Sequence, residues 1–195
     1  WLAGSNGHPE QRRQAPAHGA VGIQVGTAFA FCQDSGMDEP LRRRVLERVR
    51  AGEAQVLTDP LVSPTGFPFK VVQLDGTVSD PAVVAARPQC CDLGYLRQAY
   101  RQPDGQLGYR CPAEPVDAYV SKGGCAEDTR GRGCLCNGLM AAVGLAQQQA
   151  GGYLEPALVT AGDDLRQLAH FLTPDRTAYS AADVVDYLLG RTEDV

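Results

Sequence analysis

No stretch of this sequence is apolar for long enough to cross a membrane. The most apolar run, Val21 to Cys32, is too short and is interrupted by Gln24. No basic stripe is present, and the formal charge of −5 argues against a nucleic-acid partner. Trp1-Leu2-Ala3-Gly4 has neither the basic region nor the apolar core of a secretion signal, and nothing repeats internally. The chain does not begin with methionine and reads as a fragment, the downstream part of a longer cytoplasmic protein. A nucleophilic triad is also lacking. Neither His8 nor His18 has a Ser or Cys partner in recognisable spacing, and His170 falls inside an amphipathic helical pattern. Asp163 and Asp164 read as a helix cap rather than an acid–base pair.

What is present is a chain of 195 residues, 44% of them hydrophobic, enough to bury the core of one domain or two small ones. Seven cysteines are many for a cytosolic chain. Without a secretion signal they point to free thiols or metal ligation, and their odd number argues against complete pairing.

Residues Gly22 to Phe29 read GIQVGTAF. Ile23 and Val25 alternate with Gln24 as in a short buried strand, and Gly26-Thr27 follows. A glycine lets the main chain approach an anion, and the N–H groups and the Thr27 hydroxyl can donate to it. Upstream, Trp1 to Gly4 is a second short apolar run that opens into Gly4-Ser5-Asn6-Gly7. A helix-like segment from about Pro9 to Ala17 joins the two. The order is strand, glycine loop, helix, strand, glycine-threonine loop, a βαβ unit with a phosphate-type loop after each strand.

This segment resembles the nitronate monooxygenase (2-nitropropane dioxygenase-like) family of FMN-dependent (β/α)8 barrels, in which a WLAGG-like strand precedes a G-[IV]-Q-V-G-T-x-F strand. SPTGFPFK, RPxxCDLGYLR, GYRCPAEP and CLCNGL, all present here, are similar to strings of a long-tailed branch of that family. The resemblance implies an α/β fold: the carboxyl-terminal part of a TIM barrel, its last two strands, followed by an α+β tail containing cysteines. It implies FMN as cofactor, held at its phosphate by Gly4 and Ser5 after one strand and by Gly26 and Thr27 after the next, with Gln24 reaching toward the flavin. Ser5 and Asn6 depart from the usual glycine-containing loop. The implied partners are a nitronate-type substrate, oxygen, and an upstream part of the same barrel. The family's catalytic histidine lies upstream of the segment matching Trp1, so no catalytic residue is assigned, and the isolated chain is expected to bind FMN weakly or not at all and to be inactive.

Domain boundaries are expected at 1–52 for the barrel portion and 53–195 for the tail. Pro16 falls near the end of the first helix, where an interior proline costs about 3 kcal/mol, and it shortens the helix or marks a degenerate copy. Leu41, Val45, Leu46 and Val49 recur at helical spacing, and Gly52 ends that helix. The arginine run Arg42 to Arg44 is its solvated face, with Glu39 and Glu47 as local partners. Short strands are expected at Val56-Leu57 and Lys70 to Leu74. Between them a rigid loop carries Phe67 and Phe69, which wall a pocket or cap the barrel end. Helices are expected from Ser79 to Ala86 and from Asn137 to Gln147. A further helix after Gly162 has Leu165, Leu168, Phe171 and Leu172 inward. A final helix is capped by Ser180 and Asp183, with Val184, Val185, Leu188 and Leu189 apolar, and the tail Gly190 to Val195 is frayed.

Cys134-x-Cys136, with Cys111 before a proline and Cys91 beside Cys90, offers four thiolates to one ion. That set suits a structural zinc, with the four sulfurs then expected within about 4 Å of one another, and an iron–sulfur cluster uses the same ligands. Buried free cysteines are the alternative, and Cys32 and Cys125 are read that way. The competing function is therefore non-enzymatic, a metal-stabilised structural or docking module. An inactive truncated product is the third reading.

Overall fold

The structure is a computed structural model and describes residues 1–191. Residues 192–195 of the expected frayed tail lie outside the described residues. In chain order the elements are α1 (Pro9–Gln14), α2 (Thr27–Ala30), α3 (Glu39–Arg50), β1 (Val56–Asp59), β2 (Phe69–Val72), α4 (Pro81–Ala86), β3 (Gln98–Arg101), β4 (Leu107–Arg110), α5 (Val116–Ser121), α6 (Leu135–Ala142) and α7 (Ala181–Leu189). A 3-10 helix covers Asp163–Phe171. Two compact units result: Trp1–Val56 together with the segment from Thr160 onward, and Leu57–Val159. The division expected from sequence, after residue 52, joins the segment from Thr160 onward to the tail instead.

In the first unit, Pro9 sits in the opening turn of α1 and His8 caps it, its Nδ1 accepting from the Glu10 N–H at 3.1 Å. Pro16 does shorten this helix. The α-helix stops at Gln14 and continues as a 3-10 turn, Ala15–His18, until Gly19 turns left-handed at φ 72°. The α3 helix buries Leu41, Val45, Leu46 and Val49, as their spacing predicts, behind an Asp38 cap. Around its polar face Arg43 approaches Glu47 at 4.0 Å, and Arg42 donates to the Cys32 and Gln33 carbonyls. Leu165 and Leu168 complete the core from the 3-10 helix, with Tyr179 and Val184 from the α7 region. Phe171 stacks on Tyr179 with ring centroids 4.6 Å apart. The Ser180–Asp183 capping box forms as expected, but only Val184 of the four apolar positions of α7 is buried, while Val185 and Leu189 are exposed.

The second unit is built around Val62, Val71, Val78, Leu135 and Leu158. β1 pairs with β2, and β3 pairs antiparallel with β4 in the register Gln98–Arg110 to Arg101–Leu107. The Val72 N–H donates to the Val159 carbonyl at 2.9 Å, and the Leu158 N–H donates to Gly138 on α6 at 2.8 Å. Gly144, at φ 77°, follows the end of α6, so this helix is shorter than the expected 137–147. Phe67 and Phe69 meet edge to face at 5.2 Å, with Phe67 exposed.

The expected part of a TIM barrel is not present. The sheets of the described residues are two-stranded, and the two expected barrel strands reduce to one isolated parallel bridge, Leu2 to Ile23. The Leu2 N–H donates to Gly22 at 3.0 Å and the Gln24 N–H to Leu2 at 2.7 Å. A parallel sheet persists where both faces are covered and each strand has neighbours. Here Trp1 and Val21 are 73% and 82% exposed, so the ladder does not extend beyond its first pair. No helix of the described residues is long and apolar enough to cross a membrane.

Candidate cofactor and metal sites

The parallel pairing of Leu2 with Ile23, with α1 as its crossover, sends both chains onward from the same bridge. Gly4-Ser5 follows the first and Gly26-Thr27 the second. Gly4 and Ser5 are both left-handed, at φ 84° and 54°, a rare conformation for a serine. Asn6 holds that turn through Nδ2, which donates to the Gly4 carbonyl at 3.0 Å. Gly26 caps α2 at φ −106°, ψ −57°, is exposed, and a Cβ built there meets nothing within 4 Å. Gln24 is also exposed.

Thr27 differs from its expected role. Its side chain is buried, its hydroxyl donates to Asp164 Oδ1 at 2.7 Å, and it accepts the Gly162 N–H at 3.0 Å. This hydroxyl ties α2 to the 3-10 helix and leaves the backbone, not the side chain, to face a ligand. Asp164 correspondingly makes no cap, since the 3-10 helix has no side-chain capping bond.

In the second unit, Cys91, Cys111, Cys134 and Cys136 line one small cavity, joined by Pro64, Leu96 and Leu135. All seven cysteines are free thiols. Burial pushes the thiols of Cys91 and Cys134 up, and that of Cys111 up to about 11. A thiol so protonated at neutral pH is a poor nucleophile, which argues against cysteine catalysis here. The expected convergence of these four sulfurs within about 4 Å is not reached. Among the described residues, the set of three or more potential ligand atoms that all lie within 4.8 Å of one another is Cys90, Asp92 and Glu155.

That second cluster was not singled out in the sequence. Asn137 Nδ2 sits at its centre, donating to Asp92 at 2.9 Å and Glu155 at 3.4 Å, with Cys90 Sγ at 3.9 Å. Arg87 pairs with Glu155, and both side chains are buried. Burial, then Glu155 and Asp92, push the Cys90 thiol up to about 12. The legible signal was Asn137, a polar residue interrupting the apolar CLCNGLMAA run. Adjacent Cys90 and Cys91 thus face different surroundings, one polar and charged, one thiol-lined. A separate cavity of about 360 Å³ in this unit has Val62, Val71, Val78 and Val84 in its apolar lining and Asp59, Gln73, Ser79, Arg87, Gln89 and Arg132 in its polar lining. The Arg132 guanidinium is already bonded to the Pro60 and Ser63 carbonyls.

Two of the three histidines have structural roles. His8 caps α1, and His170 packs on Tyr187 at 4.2 Å between ring centroids. Comparison of the chain with protein-family models, curated proteins and solved structures finds no match.

Proposed function

We propose that this chain contributes the phosphate-binding end of an FMN-dependent oxidoreductase similar to nitronate monooxygenase, acting on nitronate-type substrates with oxygen. The observation that carries the reading is Gly26. Its φ is negative, so no left-handed backbone demands glycine, and no neighbouring atom would obstruct a side chain. Neither conformation nor packing accounts for glycine there, whereas the close approach of an anion to the main chain does. Gly4, exposed, and Ser5, half-buried, support it as a second left-handed turn leading on from the paired residue Leu2. In this reading the backbone of Gly4, Ser5, Gly26 and Thr27 holds the phosphate and Gln24 faces the flavin. FMN supplies the redox chemistry, and these residues anchor it. Free thiols fit a reducing compartment, the cytoplasm.

The test is a fluorescence titration of this chain with FMN and with riboflavin, which lacks the phosphate. Weak binding is expected, with FMN preferred and the preference erased by Gly26→Val. Equal affinity for the two flavins, or a preference that survives Gly26→Val, would overturn the phosphate assignment.

A further inference from the structure

Three separate stretches of the second unit deliver sulfur to one place. Cys91 lies in the loop before β3, Cys111 directly follows β4, and Cys134 and Cys136 open α6. The cavity they line measures about 10 Å³, and its other walls are apolar, with no carboxylate or imidazole among them. It is too small for an organic ligand. Cys111 and Cys134 are buried and Cys91 and Cys136 half-buried. Ionisation of Cys91 is opposed by Cys136, that of Cys111 by Cys91, Cys134 and Cys136, and that of Cys134 by Cys136 and Cys91. Each sulfur is therefore within electrostatic reach of the other three.

The backbone around them is arranged for thiolates. The backbone of Gly94 favours the ionised form of Cys91, that of Ala113 the ionised form of Cys111 and that of Asn137 the ionised form of Cys134. A neutral thiol is a weak acceptor and gains little from such donors, whereas a thiolate is stabilised by them. Arg97 favours the ionised form of Cys91, and Arg87 that of Cys134. Stabilising partners thus stand beside Cys91, Cys111 and Cys134, and a cation held by the sulfurs that line this one cavity would complete them.

We infer that Cys91, Cys111, Cys134 and Cys136 bind a single structural zinc ion as a tetrathiolate, with Cys90 excluded. Binding releases four thiol protons to solvent and leaves a site of net charge −2, offset in part by Arg97, with no change of oxidation state. All-sulfur ligation selects zinc or an iron–sulfur cluster, and a cavity of about 10 Å³ has room for one ion rather than several irons and sulfides. Because no three of these sulfurs share a 4.8 Å neighbourhood, ligation draws them inward. Bonds near 2.3 Å place tetrahedral sulfurs about 3.8 Å apart. Cys90 stays outside because its sulfur lies 3.6 Å from Asp92 and 3.8 Å from Glu155, in the polar cluster. The inference concerns the second unit and stands independently of flavin binding.

The adjacent cysteines provide the test. The full chain, prepared under reducing conditions with zinc supplied, is expected to carry about one zinc per chain. Cys90→Ser should retain it, and Cys91→Ser and Cys134→Ser should lose it. Cobalt(II) added to the demetallated wild-type chain should give intense thiolate charge-transfer and tetrahedral visible bands that saturate at about one equivalent. That readout decides the question even where a serine variant fails to fold. Undiminished zinc in Cys91→Ser, equal loss in Cys90→Ser, iron in place of zinc, or no cobalt–thiolate bands in the wild type would overturn the site.

Discussion

Thr27 and Asp164, 137 positions apart in the chain, share a buried hydrogen bond of 2.7 Å, and the same threonine oxygen receives the Gly162 N–H. A hydroxyl serving a carboxylate and a backbone donor at once is hard to replace. Thr27→Val keeps the shape but removes a donor from a buried carboxylate and an acceptor from a backbone N–H. A loss of about 2–3 kcal/mol is expected, read as a lower urea midpoint at unchanged slope. Thr27→Ser should keep most of the stability, and a valine variant as stable as wild type would show the bond to be dispensable.

Asp183 sets the acid response of α7. The Ser180 N–H, then Arg176 and the Ser180 hydroxyl, hold its carboxyl at about 2, below the ordinary 3.8. A lowered folded-state value means its contribution is complete above the unfolded value and is lost as pH falls toward the folded one. Wild-type stability should therefore decline between about pH 4 and pH 2, and Asp183→Asn should decline less steeply there. Urea midpoints across that window check the slope, and identical slopes would remove Asp183 from the acid response.

Arg87 and Glu155 form a buried ion pair, and Arg87 Nη2 has no hydrogen-bond partner. Removing one charge strands the other, so Glu155→Ala should destabilise by about 3–5 kcal/mol. The double variant Arg87→Met with Glu155→Leu should recover much of that loss, because apolar pairs of similar volume avoid the desolvation penalty. Thermal unfolding of the single and double variants measures both.

Gly138→Ala opposes two effects. Alanine favours the α6 helix by about 1 kcal/mol, but its Cβ would lie 2.7 Å from Leu158 Cβ in the core. Overpacking of this kind costs about 1–3 kcal/mol, so net destabilisation is expected. Gly26→Ala meets open space and should stay within about 0.5 kcal/mol of wild type. Denaturant midpoints for the two alanine variants should separate accordingly.

Local features were legible in the sequence, and long-range ones were not. The α3 helix follows from Leu41, Val45, Leu46 and Val49, and the Ser180–Asp183 box from two residues three apart, because each is decided within a turn or two. The barrel strands failed for the opposite reason. Ile23 and Val25 have the alternation of a strand, yet a strand needs neighbours that local alternation does not supply. Asp164 looked like a cap because a cap is a local use for aspartate, while its actual partner, Thr27, comes from the far end of the unit. The four thiols line one cavity, but the expected spacing of about 4 Å between their sulfurs is not met, because local spacing along the chain does not fix it. Glu155 and Arg87 carry no local signal until the fold brings them to Asn137, whose place in an apolar run was the one local sign of the cluster.

The residues of Leu57–Val159 form their unit from one uninterrupted stretch, whereas the other unit is assembled from Trp1–Val56 and the segment from Thr160 onward. On the ribosome this imposes an order of events. The uninterrupted unit has its whole core in hand once Val159 emerges, while Val45 and Leu46 of α3 wait for Leu165, Leu168, Tyr179 and Val184. At synthesis rates of about 5–20 residues per second, α3 stays uncovered for several seconds, an interval in which its apolar face is open to chaperones or to misassembly.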